Sequence, residues 1–199
     1  MEFFKKTQID ECAKLLNEGE ILAFPTETVF GIAVKSTSRE NYDKLVQVKK
    51  RPPDKPFTLM CSSVDQFKDM VEIDETTQKI IDKFMPGPIT LILKVKENIP
   101  SYIDLGTGFV GVRIPDDKFV VDLINKVGAP LLVPSANKSG DAPAMDSSTA
   151  YEYFKNDNVF IVEGVCKDSI PSTVLKIYQK NVIVLREGPI TLKDIKEII

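Results

Sequence analysis

The chain has 199 residues, enough for one domain with a sizeable core, and its 43% apolar and 28% charged residues exclude a disordered protein. A net charge of -3 argues against broad attraction to nucleic acid or anionic membrane, so an anion site must be a local cluster. Histidine is absent, which removes Ser-His and Cys-His nucleophile pairs and the usual zinc ligand sets.

Cys12, Cys61 and Cys166 stand far apart with no CxxC pair and read as packing residues in a reducing cytosol. No apolar run reaches bilayer length and Phe3 Phe4 is too short for a secretory core, so a cytoplasmic protein is expected. The order of signals is that of an α/β domain. Asp10 reads as the N-cap of a helix through Cys12, Leu15 and Leu16, with Gly19 as its stop before a strand at Ile21 to Phe24. Pro25 ends that strand, and Thr26 Glu27 Thr28 places two hydroxyls and a carboxylate at its carboxyl end, where such sheets bind ligands. Ile32 Ala33 Val34 continues extended. Ser38 caps a second helix that Pro52 Pro53 closes, which puts Lys49, Lys50 and Arg51 on its last turn.

Phe57 to Cys61 reads as a strand, Ser63 as the cap of a short helix through Phe67, and Asp74 as the start of a helix carrying Ile80, Ile81 and Phe84. In the run from Ile89 to Lys96 the odd positions are apolar, the pattern of a strand with one face in the core. Gly106 Thr107 Gly108 leads to the strand Val110 to Ile114, and a helix with Phe119, Val120, Leu123 and Ile124 follows. Leu131 Leu132 Val133 Pro134 delivers Ser135 and Asn137, repeating the device of the opening loop. Ser147 or Ser148 caps a helix through Tyr151 and Phe154 before a strand at Val159 to Val162. The segments Val174 to Ile177 and Val182 to Arg186 are expected hairpin partners, and a helix from Thr191 ends the chain. The whole predicts one mixed, twisted sheet flanked by helices, a single domain over 1–199.

Each polar group alone has an ordinary reading. Thr28 can satisfy turn amides, Ser135 and Asn137 can form a turn, and Lys49, Lys50 and Arg51 can be a solvated helix end. Arg113 is different, because an ionised guanidinium in an otherwise apolar strand needs a partner or an anionic ligand. Thr28, Arg113, Ser135, Asn137, Ser172 and Arg186 at strand ends, with Lys49 and Arg51, together look like an anion pocket.

The segments PTETVFG, KKRPPDKPF, PGPITLIL, GVRIP, PSANKSG, PSTV and LREG follow one another between Gly19 and Gly188. In that order they resemble the YrdC family of L-threonylcarbamoyladenylate synthases, with some features similar to YciO-type proteins. The resemblance implies an α/β domain around a basic concave cavity in which L-threonine, bicarbonate and ATP give threonylcarbamoyl-AMP and pyrophosphate. It implies that Thr28, Arg113, Ser135 and Ser172 line the threonine and bicarbonate site, Arg113 as a fork on the carboxylate. It implies that Lys49 and Arg51, the catalytic cations, grip ATP with Lys55, Asn137 and Arg186, and that segments near Phe109 and Met145 add contacts. Catalysis would rest on positioning and fixed cations, with magnesium carried on the phosphates because no paired carboxylate motif offers a metal cage. The product would serve tRNA modification, and the chain resembles the short single-domain form that passes it to separate tRNA-modifying proteins. Phe30 stands where the family usually has tyrosine and Met60 where many relatives carry histidine. The alternatives are a YciO-type paralogue, or a protein that binds nucleotide, double-stranded RNA or tRNA without this activity.

Overall fold

The structure is a computed structural model that describes residues 3–52, 55–96, 99–167 and 170–199. Nine strands, β1 (Ile21–Phe24), β2 (Gly31–Lys35), β3 (Thr58–Met60), β4 (Ile89–Lys94), β5 (Phe109–Arg113), β6 (Leu131–Leu132), β7 (Val159–Ile161), β8 (Thr173–Tyr178) and β9 (Asn181–Arg186), form one sheet. Their order is β7-β1-β2-β6-β3-β5-β4-β8-β9, with parallel pairs β1/β7, β3/β5 and β4/β8 and antiparallel pairs elsewhere. The sheet is therefore mixed, as the spacing of short strands and helices predicts, and β8 and β9 are the expected hairpin.

Among the described residues the α-helices are α1 (Ile9–Asn17), α2 (Arg39–Lys49), α3 (Glu75–Phe84), α4 (Ser101–Asp104), α5 (Lys118–Val127), α6 (Ser147–Phe154) and α7 (Leu192–Lys196). None of the described helices is long and apolar enough to cross a membrane. Near the β1 side, α1 and α5 bury Cys12, Leu16, Leu123 and Ile124 with Leu22, Phe24 and Ala33 of the sheet. The opposite face carries the larger core, in which Tyr42 and Leu45 of α2 and Ile80 and Ile81 of α3 join Ile32, Val34, Leu59, Leu91 and Val112. All three cysteines are buried thiols, as expected of packing residues.

The two-residue period of a strand positions the site. Leu59, Leu91, Leu93, Val110, Val112, Leu175 and Ile177 point into the larger core. Their neighbours Thr58, Met60, Thr90, Ile92, Gly111, Arg113 and Val174 line a cavity on the other face. On that face the smaller core with α1 and α5 takes in residues of β1, β2 and β6 and Met60 of β3, and the cavity lies beside it, over β3, β5, β4 and β8.

Several local expectations shift. Helix α1 begins at Ile9 with Gln8 before it, so Asp10 lies inside the first turn, still well placed against the helix dipole. Asp146, not Ser147 or Ser148, caps α6 by accepting from the Thr149 amide. The helix expected after Ser63 is a single 3-10 turn at Val64–Gln66, and α4 was not foreseen. Helix α2 stops at Lys49, with Lys50 left-handed at φ 49°, so Arg51 is beyond the helix and not on its last turn. Pro53, expected to help end it, lies outside the described residues. Ser38, Asp74 and Thr191 cap their helices as read from the sequence.

Gly188 shows why the LREG segment ends as it does. A Cβ there would collide with the Pro171 carbonyl oxygen and stand 2.6 Å from the Thr173 amide nitrogen, both backbone atoms. Gly188→Ala is expected to destabilise the protein by about 1–3 kcal/mol through overpacking. Because the Pro171–Thr173 backbone must give way, ligand binding should weaken as well. Denaturant unfolding beside ligand titration checks this, and a neutral Gly188→Ala would show that the packing is not tight.

Candidate active site

The cavity has a volume of about 390 Å³ and lies over β3, β5, β4 and β8. Three guanidinium groups line it, those of Arg51, Arg113 and Arg186, and Ser135, Ser172, Thr58 and Thr90 add hydroxyls. Phe57, Phe109, Val133, Ile92 and Val174 supply apolar wall. Arginine cations and fixed hydroxyls beside apolar surface form a pocket for a small molecule with both anionic and apolar parts.

Arg113, the last residue of β5, is pinned from the opening loop. Its Nη2 donates to Glu27 Oε1 at 2.7 Å and to Thr28 Oγ1 at 2.9 Å. Thr28 Oγ1 lies 3.0 Å from Thr26 Oγ1, which donates to the Val29 carbonyl and accepts from the Thr28 amide. Two threonines and a glutamate thus fold the loop after β1 into a support for one arginine. Thr28 itself is fully buried behind Arg113 and does not line the cavity, whereas its neighbour Val29 does. Glu27, whose role the sequence left open, is the arginine's counter-ion and also accepts from the Asp116 amide at 3.1 Å.

A second corner joins β4, β8 and β9. Ser172 Oγ lies 2.9 Å from Thr90 Oγ1, and Arg186 donates through Nε to the Ser172 carbonyl at 3.0 Å and through Nη2 to its Oγ at 3.2 Å. Burial, and then the nearby Arg113, pull Arg186 below its ordinary pKa, yet a guanidinium stays charged. Two cations held this close in a half-buried wall repel each other, and an anion between them would relieve that cost.

The third corner is the turn after β6. Lys49 Nζ donates to the carbonyls of Ser135, at 2.5 Å, and Asn137, at 2.7 Å, and to Asn137 Oδ1 at 2.9 Å. Asn137 Oδ1 also accepts from Ser135 Oγ at 2.7 Å, and its amide nitrogen donates to the carbonyls of Lys138 and Asp141. The lysine is 2% exposed. Burial, then Arg51 and Lys138, bring its pKa down to about 7. Arg51 donates to the carbonyls of Lys55 and Pro56 and lies 4.9 Å from the Phe57 ring centroid, so it organises its own loop as it enters the cavity.

The structure therefore gathers Arg51, Arg113, Arg186, Ser135 and Ser172 around one cavity. Thr28, Lys49 and Asn137 lie directly behind them, holding Arg113 and Ser135 by hydrogen bonds. Lys49 was expected to reach a nucleotide; here three acceptors take its ammonium, which is absent from the cavity lining, and its observed work is to fix the turn that presents Ser135. The Lys55 side chain is likewise outside the lining; its carbonyl anchors Arg51. Phe109 lines the cavity, whereas Met145 packs against the larger core. Glu27 and Thr90 are the participants that sequence reading did not assign, and Thr90 was legible only as a polar residue on the non-core face of β4. No group of three or more His, Cys, Asp or Glu that could hold a metal occurs among the described residues.

A family model described as telomere recombination, for the Sua5, YciO and YrdC domains, matches residues 14–188. A putative threonylcarbamoyl-AMP synthase of Methanocaldococcus jannaschii is 33% identical over 196 residues, which are 98% of this chain and 88% of that protein. The crystal structure of Pyrococcus abyssi Sua5 complexed with L-threonine matches with a TM-score of 0.91 at 30% identity, over 100% of this chain and 59% of that one. This chain thus spans a little over half the length of that relative. Escherichia coli YciO matches with a TM-score of 0.87 over 98% of both chains, at 20% identity, which is a likeness of fold alone.

Proposed function

The chain belongs to the Sua5/YciO/YrdC family, and from that premise we propose that it is an enzyme of the transferase type, a threonylcarbamoyl-AMP synthase. It joins L-threonine, bicarbonate and ATP into threonylcarbamoyl-AMP with release of pyrophosphate, and is in that sense a nucleotidyltransferase acting ahead of tRNA-modifying proteins. The observation that carries the reading is the meeting of Arg51, Arg113 and Arg186 with the hydroxyls of Ser135 and Ser172 around one cavity of about 390 Å³. Each of the three reactants carries an anionic group, threonine as the carboxylate of its zwitterion, and fixed guanidinium groups offset the repulsion of bringing those groups together.

In this reading Arg113 takes the threonine carboxylate, and Ser172 and Ser135 hold the carbamate that the threonine amine forms with bicarbonate. Thr28 acts through Arg113 by holding its Nη2. A carbamate oxygen attacks the α-phosphorus of ATP, the bond to the bridging oxygen breaks, and pyrophosphate leaves. Arg186 and Arg51 stabilise the charge moving onto the phosphates, while Lys49, Asn137 and Lys55 keep the walls that present them in place. Magnesium would be held by the phosphates themselves, since the chemistry of this donor set suits anions.

The test is pyrophosphate release from ATP with threonine and bicarbonate, each omitted in turn. Release is expected only with all three present, and release that ignores threonine would refute the synthase. Met60 lines the cavity and pairs with Arg113 across β3 and β5, in the place where many relatives carry histidine. That favours a YciO-type paralogue as a second reading, marked by ATP binding with no threonine-dependent release.

A further inference from the structure

We propose that the cavity takes the side chain of its amino-acid substrate on an apolar wall of Met60, Val29 and Val133, and therefore turns over L-valine on a par with L-threonine. The inference rests on the synthase reading above, deepens it at one subsite, and uses only side chains that line the cavity. Met60 stands directly opposite Arg113 in the β3/β5 ladder, so the two side chains leave the same face of the sheet side by side. Val29 follows Thr28, whose hydroxyl holds Arg113. Val133 donates its amide to the Thr58 carbonyl, on the side of β3 away from β5. Met60 and Val133 belong at the same time to the smaller core with Phe24 and α5, so apolar residues back the wall as well. All three wall residues are nearly closed to bulk solvent.

A carboxylate on Arg113 brings the substrate Cα within one side chain's reach of this wall. The hydroxyls around it are already engaged. Thr28 Oγ1 is fully buried behind Arg113 and bonded to it. Ser172 meets Thr90 and Arg186, Ser135 donates to Asn137, and the synthase reading gives both serines to the carbamate. Thr58 stands opposite Gly111, two residues from Met60 and so about 6–7 Å along the strand. A β-hydroxyl on the wall would be desolvated without a partner, whereas a methyl in its place gains by burial. Threonine and valine differ by that exchange alone, and an apolar pocket discriminates weakly between such isosteres. The reaction itself is indifferent to it. The amine nitrogen bonds to the bicarbonate carbon with loss of water and of a proton to solvent. A carbamate oxygen then bonds to the α-phosphorus as the bond to pyrophosphate breaks, so valine gives valylcarbamoyl-AMP, water and pyrophosphate.

The test measures pyrophosphate release from ATP and bicarbonate with L-threonine, L-valine or L-serine, as kcat/KM. Valine should match threonine within about tenfold or exceed it, and serine, which lacks the methyl, should fall at least about tenfold below both. Threonine favoured over valine by more than about tenfold overturns the proposal and leaves the synthase standing. Met60→Gln, similar in length with an amide at its tip, should move the threonine-to-valine ratio at least about tenfold toward threonine, and Thr58→Val should leave it unchanged. Each ratio is taken within one protein, so a loss of folded enzyme does not move it. A ratio that stays fixed in Met60→Gln, or that moves as far in Thr58→Val, overturns the assignment of the wall. Release with none of the three amino acids, from protein that still binds ATP, removes the synthase reading itself, and this proposal with it.

Discussion

Arg113→Ala is expected to lower threonine-dependent pyrophosphate release by about 10²–10³-fold while ATP binds nearly as before, because the guanidinium addresses the carboxylate end of the reaction. The same change reaches stability through Glu27. Removing the cation leaves a carboxylate buried without its partner, and breaking such a pair costs about 3–5 kcal/mol, a large share of the stability of a domain this size. Arg113→Lys separates charge from shape, since an ammonium answers Glu27 but cannot give the planar fork. It should recover most of the stability and little of the turnover. The double change Arg113→Met with Glu27→Leu should fold about as well as wild type and turn over nothing, which assigns the lost activity to chemistry. Urea unfolding and pyrophosphate release on the same samples check all three, and an Arg113→Ala protein that loses ATP binding as fully as threonine-dependent release would refute the assigned role.

The sequence made the strands and the meeting of their ends legible because both follow from short-range chemistry. Apolar residues at odd positions in β4 told which face is core, and the lone arginine of β5 stood out against its neighbours. Less visible was what each cation touches. A lysine at a helix end reads as solvated, yet Lys49 is buried by a turn 86 to 88 residues further on, a contact with no local signature. Glu27 and Arg113 likewise meet across 86 residues, so the carboxylate was noticed and given no role. The caps that moved did so for a related reason: near Asp10 and Ser147 several residues could cap, and tertiary packing decides where the helix begins.

Lys49→Met removes the donor from three oxygens at once: the carbonyls of Ser135 and Asn137 and the Asn137 side chain. Methionine fills similar space, so the loss is one of hydrogen bonds, about 1–3 kcal/mol after the relief of burying no cation. Ser135 then loses its fixed place in the cavity wall, and a misplacement of that kind costs about 10²-fold in turnover. Lys49→Arg should not rescue it, since a planar fork does not match three converging oxygens. Normal kinetics in Lys49→Met would refute the positioning role. The pH dependence follows from the lowered pKa. Below about 7 both folded and unfolded states hold the proton, and the fold carries the whole cost of burying the charge. Between about 7 and the ordinary value of 10.5 the folded lysine has released a proton that the unfolded one keeps. Stability therefore rises with pH in that window, by up to about 1.4 kcal/mol per unit, and wild type should gain on Lys49→Met accordingly. Parallel unfolding curves for the two proteins from about pH 6 to about pH 9 would show instead that the buried amine keeps its proton, held by the three oxygens it serves.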